Sequence, residues 1–79
     1  MSPRVVKEQG YDIVIFTQDH YPPHVHAIKN SELAKFTLDP VELVTATRGF
    51  TPKMIVEAIE IIRRNKGHCW KIWHDVYGK

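Results

Sequence analysis

The chain has 79 residues, with 11 basic and 9 acidic side chains, five histidines and one cysteine. That length holds one domain and excludes two. A net charge of +2 is too small to argue nucleic-acid binding from bulk charge, and a single cysteine excludes an intrachain disulfide.

A lone thiol suits a reducing compartment such as the cytoplasm. The first residues lack the apolar stretch of a signal peptide, and the longest purely apolar run, Ile13-Val14-Ile15-Phe16, is too short to span a bilayer. A domain this short buries only about 60% of its unfolded surface and has roughly 5 kcal/mol of stability or less. A metal or a partner chain therefore stays open as a source of added stability.

In chain order, Tyr11 to Thr17 is rich in Ile, Val and Phe and reads as a strand. Gln18 to Pro23 reads as a loop, firmly because of the Pro22-Pro23 pair. His24 to Lys29 alternates and reads as a second strand. Asn30-Ser31 is a candidate hairpin turn, weaker than Asn-Gly, and Glu32 to Leu38 is a third strand. Asp39-Pro40 turns the chain again. Val41 to Thr47 is open between a fourth strand, favoured by its β-branched residues, and a short helix opened by an Asp39-Pro40-Val41-Glu42 capping box. The strand is preferred.

Thr51 and Pro52 then suit the cap and first position of a helix. Ile55, Ala58, Ile59 and Ile62 form its apolar stripe, and Asn65-Lys66-Gly67 breaks it. A final helix is expected from about His68 to Tyr77, with Cys69, Ile72, Trp73 and Val76 on one side. The fold class expected is α+β: an antiparallel sheet of three to four strands followed by two C-terminal helices packed on one face.

The hairpin carries a sharper inference. A two-residue turn at Asn30-Ser31 sets Ile28 opposite Leu33, Ala27 opposite Ala34, His26 opposite Lys35 and His24 opposite Thr37. Val25, Ala27, Ala34, Phe36 and Leu38 then share an apolar face. His24, His26, Lys35 and Thr37 share the other, expected to be open to solvent or ligand.

Three of the five histidines fall within Asp19-His20-Tyr21-Pro22-Pro23-His24-Val25-His26. Three readings stay open. His24 and His26 project from one strand face and, with Asp19 or His20, could hold a zinc or nickel ion. Alternatively, the two imidazoles act as acid and base in metal-independent RNA cleavage, with Lys35 or Arg48 stabilising the phosphate and no cofactor. Or the histidines only bond local carbonyls beside a stiff proline loop. Arg63, Arg64 and Lys66 read first as cations complementing a helix C-terminus and second as phosphate contacts. Trp73 and Cys69 read as core; Trp70 and Tyr77 are candidates for base stacking.

These residues carry a resemblance over nearly the whole chain. Gly10-Tyr11, Pro22-Pro23-His24-Val25-His26, Ala34-Lys35-Phe36-Thr37-Leu38-Asp39-Pro40-Val41-Glu42-Leu43, Arg48-Gly49-Phe50 and Trp73-His74-Asp75-Val76-Tyr77-Gly78 are similar to the small bacterial proteins grouped as domain of unknown function 4160. Asp75 stands where members often carry Glu, and His20 is not part of the motif. The resemblance implies a toxin–antitoxin-type two-gene module, a complex with a cognate small protein from the neighbouring gene, and action on RNA. It adds His74 to His24, His26 and Lys35 as polar motif positions that a core does not require. Pairing with a second copy of the chain is open.

Overall fold

The computed structural model describes residues 3–16 and 23–77. Five strands, β1 (Arg4–Glu8), β2 (Tyr11–Val14), β3 (His24–Lys29), β4 (Glu32–Leu38) and β5 (Val41–Ala46), precede two helices, α1 (Pro52–Arg64) and α2 (Lys66–Tyr77). The strands lie side by side in chain order as one antiparallel sheet. Consecutive pairing of this kind needs only tight turns. Gln9-Gly10 and Asn30-Ser31 supply two of them, with positive φ at all four residues, as the mirror-image hairpin turn requires. Asp39-Pro40, with a cis peptide bond, closes the β4–β5 corner.

β1 is the strand that sequence reasoning missed, so the sheet has five strands rather than three or four. Its five residues carry one adjacent apolar pair, Val5-Val6, among three charges, which is too little alternation to announce a strand. β2 is shorter than expected. Its ladder stops at Val14, although Ile15 still donates to Pro3 O at 3.0 Å. Thr17, the end of that expected strand, and the loop up to Pro22 lie outside the described residues.

The β3–β4 register is the expected one, from His24 opposite Thr37 to Lys29 opposite Glu32. The side chains at Val25, Ala27, Ala34, Phe36 and Leu38 are buried, and with Tyr11, Ile13 and Ile15 they form the core face of the sheet. Val41 to Ala46 is a strand and not a helix. Edge pairing with β4 satisfies the backbone groups on one side of it, and its Val and Thr side chains fit a pleated surface.

Thr51 caps α1: its Oγ1 accepts from Met54 N at 3.2 Å, and Pro52 follows. The buried stripe is Ala58, Ile61 and Ile62, with Ile55 and Ile59 at its margin. The expected stripe omitted Ile61. The helices are separated by Asn65 alone, and Lys66 and Gly67 already belong to α2. Asn65 makes this sharp break by spending its side chain on the end of α1. Its Nδ2 donates to Ile61 O at 2.8 Å and to Glu8 Oε1 at 2.7 Å, which also ties the helices to β1.

Ser31 holds a left-handed backbone, φ 67°, that costs a residue with a Cβ about 1–2 kcal/mol. Ser31→Gly is expected to raise stability by roughly 1 kcal/mol after the extra chain entropy of glycine. Thermal unfolding would read this as a Tm several degrees higher, about 4–8 °C per kcal/mol at this size. An unchanged or lower Tm would show that the turn is not held in this conformation.

Candidate functional site

The face of the sheet opposite the core is crossed by one row of side chains: Val14 on β2, His26 on β3, Lys35 on β4 and Thr45 on β5. His24 stands one step along β3 from His26, opposite Thr37. Hairpin register thus brings together His24, His26 and Lys35, as the sequence predicts.

Their environment is not the predicted one. His24 is only 3% exposed and His26 only 6%. The chain beyond β2 folds Phe16 onto His26, with stacked rings 3.9 Å apart and 14° from parallel. The second half of α2 reaches the same end of the sheet, where Trp73 lies 5.8 Å from His24 by ring centroids. Tyr77, one helical turn on, packs against Trp73 at 4.2 Å, and its hydroxyl donates to Phe16 O. His24 and His26 complete the circuit edge to face at 5.4 Å. Four ring contacts and the bond from Tyr77 to the Phe16 carbonyl therefore link these five residues, and the imidazole pair is built into packing rather than laid open to solvent. The correction has a plain cause. Strand alternation fixes which face a side chain takes, but what covers that face depends on segments distant in sequence.

Phe16 and Tyr77 are the members that sequence reasoning did not assign to this site. Two weak signals pointed to them. Phe16 shares the parity of Asp12 and Val14, hence the imidazole face, and Tyr77 follows Trp73 at helical spacing.

The remaining candidates lie elsewhere. His74 is exposed on α2, with its ring 5.9 Å from Trp70, while its neighbour Trp73 makes the contact to His24. Arg48 is exposed in the turn after β5, and Arg63 is exposed near the end of α1. Arg64 pairs with Glu8 at 3.4 Å, and Lys66 pairs with Asp39 at 3.4 Å. Those two cations fasten the junction of the helices to β1 and to the β4–β5 corner. Asp19 and His20, the alternatives for the third ligand of the metal reading, lie outside the described residues. Among the described residues no three His, Cys, Asp or Glu side chains lie together to hold a metal ion.

Lys35 differs from the other cations. It is half-buried, and among the described residues no carboxylate lies within ion-pair distance of it. Cys69 is fully buried, and loss of hydration pushes its thiol up to about 11, only partly offset by a backbone hydrogen bond. At neutral pH it is a packed thiol and not a nucleophile. Burial likewise raises the Tyr11 hydroxyl well above its ordinary range, helped by its 2.7 Å hydrogen bond to Glu57 and by that carboxylate's charge. That bond ties β2 to α1.

A meander of five strands backed by two helices, with an imidazole pair sealed under aromatic rings at one end, defines a small α+β domain. Among the described residues no helix is long and apolar enough to cross a membrane. Family comparison matches residues 10–74 to the family described as Domain of unknown function (DUF4160), and the chain belongs to that family. Comparison with curated proteins and with solved structures gives no match.

Proposed function

We propose that this protein is a non-catalytic interaction module, one member of a toxin–antitoxin-type protein pair, and that it binds a small cognate protein by accepting a strand along β5. The observation that carries the reading is the contrast between the two edges of the sheet. β1 carries Arg4, Lys7 and Glu8 in five residues, the charged composition that discourages edge pairing. β5 carries one charge, Glu42, and exposes Leu43 (40%) and Val44 (52%), two of the three large hydrophobic side chains left open among the described residues.

A bulge opposite Lys35 and Phe36 leaves Val44 without a partner on β4. An incoming strand would pair with the backbone to either side of that bulge and cover the two apolar side chains. The buried imidazoles support this reading over RNA cleavage. A general base must come within hydrogen-bond distance of the hydroxyl it deprotonates, and His24 and His26 sit under Trp73 and Phe16.

The test is co-purification with the product of the neighbouring gene, for the wild type and for a Leu43→Lys/Val44→Lys variant. Burying two aliphatic side chains is worth about 3 kcal/mol or more, so the variant is expected to bind at least about 100-fold more weakly. Its Tm should stay close to the wild type, because both positions are surface sites. Wild-type affinity in the variant would end the proposal. A dimer of this chain that the variant dissolves, with no heterologous complex, would replace the cognate protein with a second copy.

A further inference from the structure

We infer that the open part of the imidazole-bearing face holds an oxyanion, seated on Lys35 and Thr45 with its stem over Leu33. The site is a groove of about 160 Å³ between β3, β4 and β5, lined by His26, Leu33, Lys35, Thr45 and Thr47. Strand register places Lys35 directly between His26 and Thr45. Three features give the groove its chemistry.

The first is charge. Arg4, Arg64, Lys66 and Lys71 each pair with a carboxylate, Lys29 donates to Gln9 O over the ring of Tyr11, and Lys7, Arg48, Lys53 and Arg63 are exposed to solvent. Lys35 is half-buried in the groove wall without such a partner among the described residues. An ammonium ion partly removed from water favours an anion beside it.

The second is polarity along the groove. The Thr47 hydroxyl is already engaged: it donates to Glu32 Oε1 at 2.6 Å and accepts from Leu33 N at 3.0 Å. Glu32 also accepts from Gly49 N at 3.2 Å. The Thr47 end is therefore closed to an anion by a nearby carboxylate, and the Lys35–Thr45 end is left for it. Leu33, paired with Thr47 and one step along β4 from Lys35, faces the groove with an aliphatic surface.

The third is size. A groove of this volume takes an oxyanion head and a few carbons. Phosphate and carboxylate heads share the required chemistry. The inference does not depend on strand addition at β5, since the groove exists in the single chain.

The experiment is a titration of the whole protein followed by backbone and Lys35 side-chain NMR shifts. Inorganic phosphate, acetate and butyrate are the probes, against sodium chloride at matched ionic strength. Saturable shifts at Lys35 and Thr45 are expected with at least one oxyanion and not with chloride. Phosphate alone would mark the head as a phosphate; butyrate binding more tightly than acetate would mark it as a carboxylate with a stem over Leu33. Lys35→Met is expected to weaken binding at least about tenfold. Thr45→Val, at an exposed position, should weaken it several-fold, and it decides the matter should Lys35→Met not fold. Non-saturating shifts with every probe, or affinity unchanged in the folded variants, would overturn the site.

Discussion

Trp73→Ala is expected to unfold most of the population near ambient temperature. Trp73 is fully buried, belongs to the main core, and touches both His24 and Tyr77. Truncating a buried Trp costs about 3–5 kcal/mol through lost burial and the cavity that remains. A domain of 79 residues has roughly that much stability in total. At about 4–8 °C per kcal/mol the Tm should fall by about 12 °C or more, with helical circular dichroism lost in the same transition. Trp73→Phe keeps an aromatic ring in place and should recover more than half of the loss. A Tm for Trp73→Ala within about 5 °C of the wild type would mean that α2 is not docked through this ring.

The second large effect is at the imidazole pair. An exposed His24/His26 face predicts that replacing both with alanine leaves the melting temperature unchanged. The structure predicts the opposite. Each ring is more than nine-tenths buried and stacked or tilted against an aromatic neighbour. Each truncation should cost about 1–3 kcal/mol, as core cavities do. The rings also touch each other, so the double variant should depart from the sum of the single ones. A fall in Tm of at least about 8 °C in the double variant is expected. Any loss of partner binding must then be compared with the Leu43→Lys/Val44→Lys variant, whose fold is spared. An unchanged melting temperature would return the imidazoles to the solvent side and restore acid–base chemistry as the better reading.

The accuracy of the hairpin reading shows where local information suffices. Asn30-Ser31 sets the turn length, and turn length sets every cross-strand pair from Lys29–Glu32 to His24–Thr37. From that register alone the apolar face of Val25, Ala27, Ala34, Phe36 and Leu38 could be named, and it is buried. The cap at Thr51-Pro52 was equally legible, because it is made by residues three positions apart. β1 was not legible. An edge strand with three charges around one adjacent Val5-Val6 pair has no apolar period, and its pairing is imposed by the Gln9-Gly10 turn and by the clasp of Asn65 and Arg64 on Glu8.

The sequence alone determined the alternation of faces, the β3–β4 pairing, the helical stripes and the membership of Trp73 and Cys69 in the core. Each follows from periods of two or 3.6 and from turns of two residues, which act over a few bonds. Only the tertiary structure decided that His24 and His26 are enclosed, that Arg64 and Lys66 are tied to carboxylates, and that Lys35 faces an open groove. Those outcomes depend on Phe16, Glu8, Asp39 and Trp73 arriving from separate elements. Burial and ion pairing are sums over such neighbours, and a local pattern does not contain them.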